Sequence, residues 1–228
     1  MTQELKIVPT ADGSNTIFNS QVGENYHSKH GALQESRHVF LNSGLKYFIE
    51  NNRAREVKVL EVGFGTGLNF LLSAEYCAED GVKLHYTGIE AYPLSQDLVL
   101  QTGYDQFVPA PVWDSFIGHY ANSLNATVNI NQNCQMRIAH CQLLEFESND
   151  KYDLIYFDAF ASARQPEMWD EKAIRHTVGF LKPGGVFVTY AITGNLKRTM
   201  KSLGLKVEKA AGAPGKREML RAIKRTDL

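Results

Sequence analysis

The spacing of apolar and polar positions along the 228 residues predicts short strands alternating with helices. Residues 5–20, LKIVPTADGSNTIFNS, read as two short strands around an Asp12-Gly13 turn. Over 32–50 the period changes: Leu33, Phe40, Leu41, Leu45, Phe48 and Ile49 fall roughly on one side of a helix. VKVLEVGF (57–64) is an apolar, β-branched run ending in glycines. It is followed by helical LNFLLSAEYCAE (68–79) and a strand, KLHYTGIE (83–90), that ends in an acid. Strand, glycine turn, helix, strand is a βαβ unit. The long connection 91–127 holds two helical stretches, LSQDLVLQT and WDSFIGHYAN, punctuated by Pro93, Pro109 and Pro111. Further strands are predicted near 128–138, at 152–158 and at 185–191. Between the last two lies PEMWDEKAIRHTVGFLKPGG, a helix closed by Pro183-Gly184-Gly185. A short basic helix, LKRTMKSLGL, then precedes LKVEKAAG and REMLRAI, which flank APGK as a terminal hairpin.

Strands alternating with helices predict an α/β fold: a doubly wound, mostly parallel sheet whose closing hairpin strand is antiparallel. Residues 1–228 read as a single domain, with an N-terminal appendage and lid helix over 1–52 and a helical insertion over 91–127. A hydrophobic content of 43% is too high for a disordered chain. No run of eighteen apolar residues occurs, and MTQELKIVPTADGS has no basic segment leading into an apolar one. The expectation is a cytoplasmic protein that does not engage a membrane. Cys77, Cys134 and Cys141 form no C-x-x-C pair, and the seven histidines are scattered. Neither a disulfide framework nor a metal site is expected. The net charge of -1 hides an asymmetry: residues 196–228 carry +7 and the rest of the chain -8. A basic end on an acidic body can steer a polyanion to one face, although a solvated tail has the same composition.

The chemistry concentrates at Glu61-Val62-Gly63-Phe64-Gly65-Thr66-Gly67. Three glycines between a strand and a helix allow a sharp turn and close approach of a ligand to the backbone. The G-x-G-x-x-G fingerprint fails at Leu68, and no P-loop is present. An acid two residues before G-x-G-x-G resembles motif I of the class I S-adenosylmethionine-dependent methyltransferases. That resemblance implies S-adenosylmethionine bound at Gly63, Gly65 and Gly67, with Glu61 near its cationic methionine end. Glu90, at the next strand's end, would take the ribose hydroxyls. The position that usually carries an acid for the adenine falls on Cys141. Asp158 ends the strand YDLIYFD, where such sheets bind ligands. Phe160 and Trp169 are candidate walls for a planar base, or core residues.

A narrower resemblance covers about residues 5–223. FDAFASARQPEMW (157–169), YHSKHGALQESRHVFLNSGL (26–45), LEVGFGTGLNFL (60–71), IEAYPL (89–94) and GAPGKREML (212–220) carry it. They are similar to the methyltransferase half of the bifunctional 5-methylaminomethyl-2-thiouridine biosynthesis enzyme and its stand-alone relatives. Ser162 replaces that family's proline, and Gln165-Pro166 its Asn-Pro. The resemblance implies N-methylation of 5-aminomethyl-(2-thio)uridine at the tRNA wobble position. Asp158 would orient the amine and take its proton, and no metal is needed. The enzymes that install the aminomethyl group would be separate proteins. Tyr26 and Glu35 would lid the cofactor. Lys197, Arg198 and Lys201 on the basic helix, with Lys216 and Arg217 at the hairpin turn, would meet phosphates of the anticodon loop. For Lys216-Arg217 a structural ion pair is the competing reading. Two other functions compete: an aminopropyl transferase resembling spermidine synthase, and a non-catalytic RNA-binding module on the same scaffold.

Overall fold

The computed structural model describes residues 4–226. At its centre is an eight-stranded sheet, flanked at the N-terminus by a separate three-stranded one. The small sheet comprises β1 (Leu5–Pro9), β2 (Asn15–Asn19) and β3 (Glu24–Asn25), all antiparallel. The Asp12-Gly13 turn joins β1 and β2 as the sequence predicts, with Asp12 Oδ1 accepting from the Ser14 N–H. The short β3 is not visible in the apolar pattern.

Residues 32–52 wind as one continuous helix: α1 (Ala32–Glu35), a π-helical stretch (Ser36–Lys46) and α2 (Tyr47–Asn52). The predicted stripe is right except at Leu33, which is only half-buried; Val39 and Gly44 join it. The apolar pattern does not predict the wider i→i+5 winding. Phe40 and Gly44, which both face the sheet, are four residues apart, so the apolar spacing reads as α-helical and carries no sign of the π-winding. Arg53 ends the helix in the left-handed region, at φ 49°.

The remaining elements follow the sequence pattern closely. They are β4 (Glu56–Val62), α3 (Leu68–Glu79), β5 (Lys83–Glu90), α4 (Gln96–Leu100) and α5 (Ala110–Ser123). Next come β6 (Val128–Asn131), β7 (Cys134–His140), β8 (Tyr152–Phe157), α6 (Glu171–Gly179), β9 (Leu181–Thr189) and α7 (Gly194–Ser202). The chain closes with the hairpin β10 (Leu205–Ala211) and β11 (Glu218–Lys224). Two expectations are corrected. The stretch near 128–138 is a hairpin, β6 and β7, turning at Asn131–Asn133, where Asn131 Oδ1 accepts from the Asn133 N–H. Pro183-Gly184-Gly185 does not close a helix: α6 stops at Gly179, and the three residues form an irregularity inside β9. Pairing with β8 pulls them into the sheet, and Pro183 needs no partner there.

The strand order is β10-β11-β9-β8-β4-β5-β7-β6. The five central strands are parallel, and β11 runs antiparallel to β9 as expected. From β4 the chain winds one way to β5 and β7, then returns to the other side of β4 for β8 and β9. That reversal leaves a crevice at the carboxyl ends of β4, β5 and β8. The register aligns those ends: Val62 lies beside both Ile89 and Phe157. Each face of the sheet carries its own core. Phe40, Phe70, Tyr86, Phe116 and Tyr156 pack on one face, and Ile155, Phe157, Ile174, Phe187 and Leu196 on the other. Each such side chain, fully buried, stabilises the fold by roughly 1.5–3 kcal/mol.

Candidate active site

Apolar β-branched residues carry β4 to the sheet edge, and then the backbone must turn back sharply to enter α3. Gly63, Gly65 and Gly67 make that turn with φ of 84°, 52° and 80°, a region that favours glycine. A Cβ on Gly63 would lie 2.5 Å from the Asp158 carbonyl oxygen, and one on Gly65 3.0 Å from the Tyr26 ring. The Glu90 carboxylate braces the turn, accepting from the Gly65 N–H at 2.9 Å and the Tyr92 N–H at 3.0 Å.

The strand ends enclose a cleft of about 390 Å³. Of the predicted residues, Tyr26, Gly63, Gly65, Glu90, Cys141, Asp158 and Phe160 line it together. Cys141 is half-buried at its edge, beside Gln142, and burial pushes its thiol pKa up. Tyr26 and Phe160 meet edge to face, 5.0 Å between ring centres.

Asp158 faces the cleft, with Asn69 Nδ2 donating to its Oδ2 at 2.9 Å. Burial, aided by the nearby charge of Glu35, pushes its pKa up to about 8. The Asn69 bond and the Lys216 charge act the other way.

Several predicted residues sit elsewhere. Glu61 is fully buried beneath the cleft instead of lining it. Its Oε1 accepts from Asn69 Nδ2 at 2.8 Å and its Oε2 from the Tyr86 hydroxyl at 2.8 Å. Burial, then the charge of Asp158, holds its pKa well above the usual carboxylate range. Asn69 therefore links Glu61 to Asp158. Gly67 starts α3 outside the cleft, where a Cβ would strike Phe116 at 2.8 Å. Trp169 is a core residue: its ring packs 5.1 Å from Phe157, and its Nε1–H donates to the Phe160 carbonyl at 2.8 Å. That bond holds Phe160 at the cleft wall.

Glu35 also misses the cleft. It is buried, its Oε2 accepts from the Ser28 N–H, and its Oε1 is paired with Lys216 Nζ at 2.7 Å. Lys216 is thus half-buried in an ion pair. The competing ion-pair reading fits it, with Glu35, far away in the chain, as the partner. Arg217 is exposed at the hairpin turn, and Lys197, Arg198 and Lys201 lie on α7 as predicted, the last two exposed. Because α7 follows β9, its start lies at the same sheet edge as Asp158.

Sequence reasoning misses Asn69, whose role depends on two carboxylates far apart in the chain. It also misses Asn19, Gln21 and Val22, which the small sheet brings to the cleft. His27 anchors that sheet, its ring nitrogens lying 3.1 Å from Thr16 Oγ1 and 3.4 Å from Thr66 Oγ1. Among the described residues no three His, Cys, Asp or Glu side chains are grouped to hold a metal, and no helix is long and apolar enough to cross a membrane.

The profile of a family described as S-adenosyl-L-methionine-dependent methyltransferase matches residues 110–225. The bifunctional tRNA 5-methylaminomethyl-2-thiouridine biosynthesis protein MnmC of Methylobacillus flagellatus is 30% identical over 220 residues, covering 89% of this chain and 33% of that protein. The protein of the same name from Leptospira interrogans is 28% identical, covering 90% and 33%. The chain thus spans about a third of the length of these curated relatives. Its fold superposes on the crystal structure of MNMC2 from Aquifex aeolicus with a TM-score of 0.78 and 21% identity, over 97% of this chain and 70% of that one. Magnesium protoporphyrin IX methyltransferase from Synechocystis, solved with bound S-adenosylmethionine, gives 0.51 and 11%, over 85% and 81%. With half its length under that profile and its strand ends built into this cleft, the chain belongs to the S-adenosyl-L-methionine-dependent methyltransferase family.

Proposed function

We propose that the protein transfers a methyl group from S-adenosylmethionine to the exocyclic amine of 5-aminomethyl-(2-thio)uridine at the tRNA wobble position. The observation that carries this is Asp158: a carboxylate facing the cofactor cleft beside an aromatic wall. The names of the relatives support the choice of nucleoside.

The cleft suits the cofactor by its own chemistry. Glycine at 63 and 65 lets the turn pack against the Asp158 backbone and the Tyr26 ring with bare backbone at the cleft wall, and Glu90 and Asp158 offer acceptors to a ribose diol and to positive charge. Gly63, Gly65, Glu90 and Cys141 would hold the nucleoside part, with Tyr26 as cover. When bound, S-adenosylmethionine supplies an electrophilic methyl on a cationic sulfur.

The protein's own residues must present a neutral amine to that methyl. A primary alkyl amine is mostly ammonium near neutrality, and ammonium has no lone pair. Asp158 accepts its hydrogen bond, orients the nitrogen and takes one proton, which frees the lone pair. Its negative charge also offsets the repulsion between two cations brought together. Asn69 holds the carboxylate in place, and Tyr26 and Phe160 wall the reacting centre from water. The exposed α7 cations and Arg217 meet the anticodon-loop phosphates, and the wobble base turns out of its stack to reach the cleft.

The test mixes protein, S-adenosylmethionine and bulk tRNA from cells lacking this modification, followed by nucleoside mass spectrometry. The expected result is loss of the 5-aminomethyl nucleoside and appearance of its N-methyl product. No methylated nucleoside, with cofactor binding intact by calorimetry, would overturn the tRNA assignment.

A further inference from the structure

Behind the Tyr26–Phe160 pair lies a second cavity, of about 230 Å³. It shares Tyr26, Ala159 and Phe160 with the cofactor cleft, so the two meet along that wall. Its volume is below the roughly 300 Å³ at which clefts for larger ligands begin, a scale suited to one small ring. Three aromatic side chains border it: Tyr26, Phe160 and Tyr190. Tyr26 and Phe160 are surfaces of the kind that stack an unpaired base, while the Tyr190 ring carries the Lys216 ammonium. The polar groups at its edge include Glu35 and Lys216, a pair that neither the glycine turn nor the cofactor cleft uses.

Lys216 is held firmly. Its ammonium is 2.7 Å from Glu35 Oε1 and 3.8 Å above the centre of the Tyr190 ring. Tyr190 is itself tied back, its hydroxyl donating to the Ala159 carbonyl at 2.9 Å. Glu35 is anchored by the Ser28 N–H at 2.8 Å. An ammonium carries three donors, and Glu35 takes one. The charge is close enough to influence Asp158.

We propose that this second cavity is the nucleobase subsite, with Lys216 donating a hydrogen bond to the uracil carbonyl beside the aminomethyl arm. This rests on the substrate reading above. In the uracil ring the C5 arm and the C4 carbonyl are neighbours. With the arm's nitrogen at Asp158 in the cleft, the carbonyl would face the second cavity, whose border holds Lys216 as a donor. Cytosine presents an amino group at that position; a lysine, which can only donate, rejects it. Lys216 is thus a specificity-determining residue, and Glu35 and Tyr190 are its positioning residues.

The experiment compares wild type with Lys216→Met, Lys216→Arg and Lys216→Gln, using tRNA bearing 5-aminomethyluridine at several salt concentrations, with cofactor affinity measured in parallel. Lys216→Met is expected to lose roughly ten- to a hundredfold in kcat/KM, the effect of removing one charged donor. Cofactor affinity should be unchanged and the loss the same at every salt concentration. Lys216→Arg and Lys216→Gln, which keep a donor, should recover part of it. A loss that shrinks as salt rises would instead make Lys216 a phosphate ligand and overturn the subsite. So would an unchanged kcat/KM in Lys216→Met. If Lys216→Met does not fold, Lys216→Gln decides: activity no better than background overturns the proposal, and salt-independent partial activity upholds it. An inactive wild type would sink the substrate reading itself, a result distinct from any of these.

Discussion

Asp158 is the residue at which stability and chemistry pull apart. Its pKa, raised to about 8 by burial, means that the folded protein holds a proton there that the unfolded chain releases near the ordinary aspartate value of 3.8. The sign follows: this group favours folding below about pH 4, and that contribution is lost as pH rises toward 8. Asp158→Asn should therefore melt higher than wild type at pH 8, by about 2–4 °C for each kcal/mol of relief, with the difference gone near pH 4. Calorimetric melts at the two pH values test it. The same variant should lose roughly 10²- to 10⁴-fold in kcat while still binding cofactor. In the active enzyme the acid limb of kcat/KM should bend near pH 8, because only ionised Asp158 can take the proton. Asn69→Ala removes a bond that favours the carboxylate and should move that limb up. Glu35→Gln removes a nearby negative charge and should move it down. Limbs that move together, or not at all, would exclude Asp158 as the titrating group.

At the scale of elements, the strand–turn–helix from β4 to α3 is legible because its constraints are local. A glycine is required wherever the backbone adopts φ near +80°, and an apolar strand must precede it. Gly63→Ala meets both a left-handed φ and a Cβ 2.5 Å from the Asp158 carbonyl. It should cost about 1–3 kcal/mol in urea unfolding and weaken cofactor binding. Gly118→Ala, in the exposed middle of α5 with nothing within 4 Å of the new Cβ, should stabilise by about 1 kcal/mol and leave binding alone. The π-wound stretch and the β6–β7 hairpin are not legible, because packing against the sheet decides them.

For the molecule as a whole, charge is distributed along the sequence in a way the fold uses. The sheet reversal puts the start of α7 at the edge that holds the cleft, so Lys197 and Arg198 lie toward the cleft's end of the sheet. Replacing Lys197, Arg198 and Lys201 together by Glu should raise KM for tRNA while leaving cofactor affinity unchanged. It should also flatten the dependence of log affinity on log salt by about 0.7–0.9 for each phosphate that is no longer neutralised. Filter binding across a salt series measures that slope.

Composition and periodicity alone determined the α/β class, the succession of the main strands and helices along the chain and the glycine turn, since each depends on neighbours within one or two turns of chain. Asp158 stood out because an unpaired acid closing an apolar strand is rarely a core residue, whereas Glu90 was singled out by the methyltransferase resemblance. Only the tertiary structure decided which acids face the cleft. Glu61 and Asp158 look alike in sequence, yet one is sealed under Asn69 and Tyr86 while the other opens to the ligand. Trp169 was drawn into the core, and Lys216 was carried across the fold to Glu35, 181 positions away. Such pairings depend on which strand ends lie side by side, and that is set by the winding of the whole sheet.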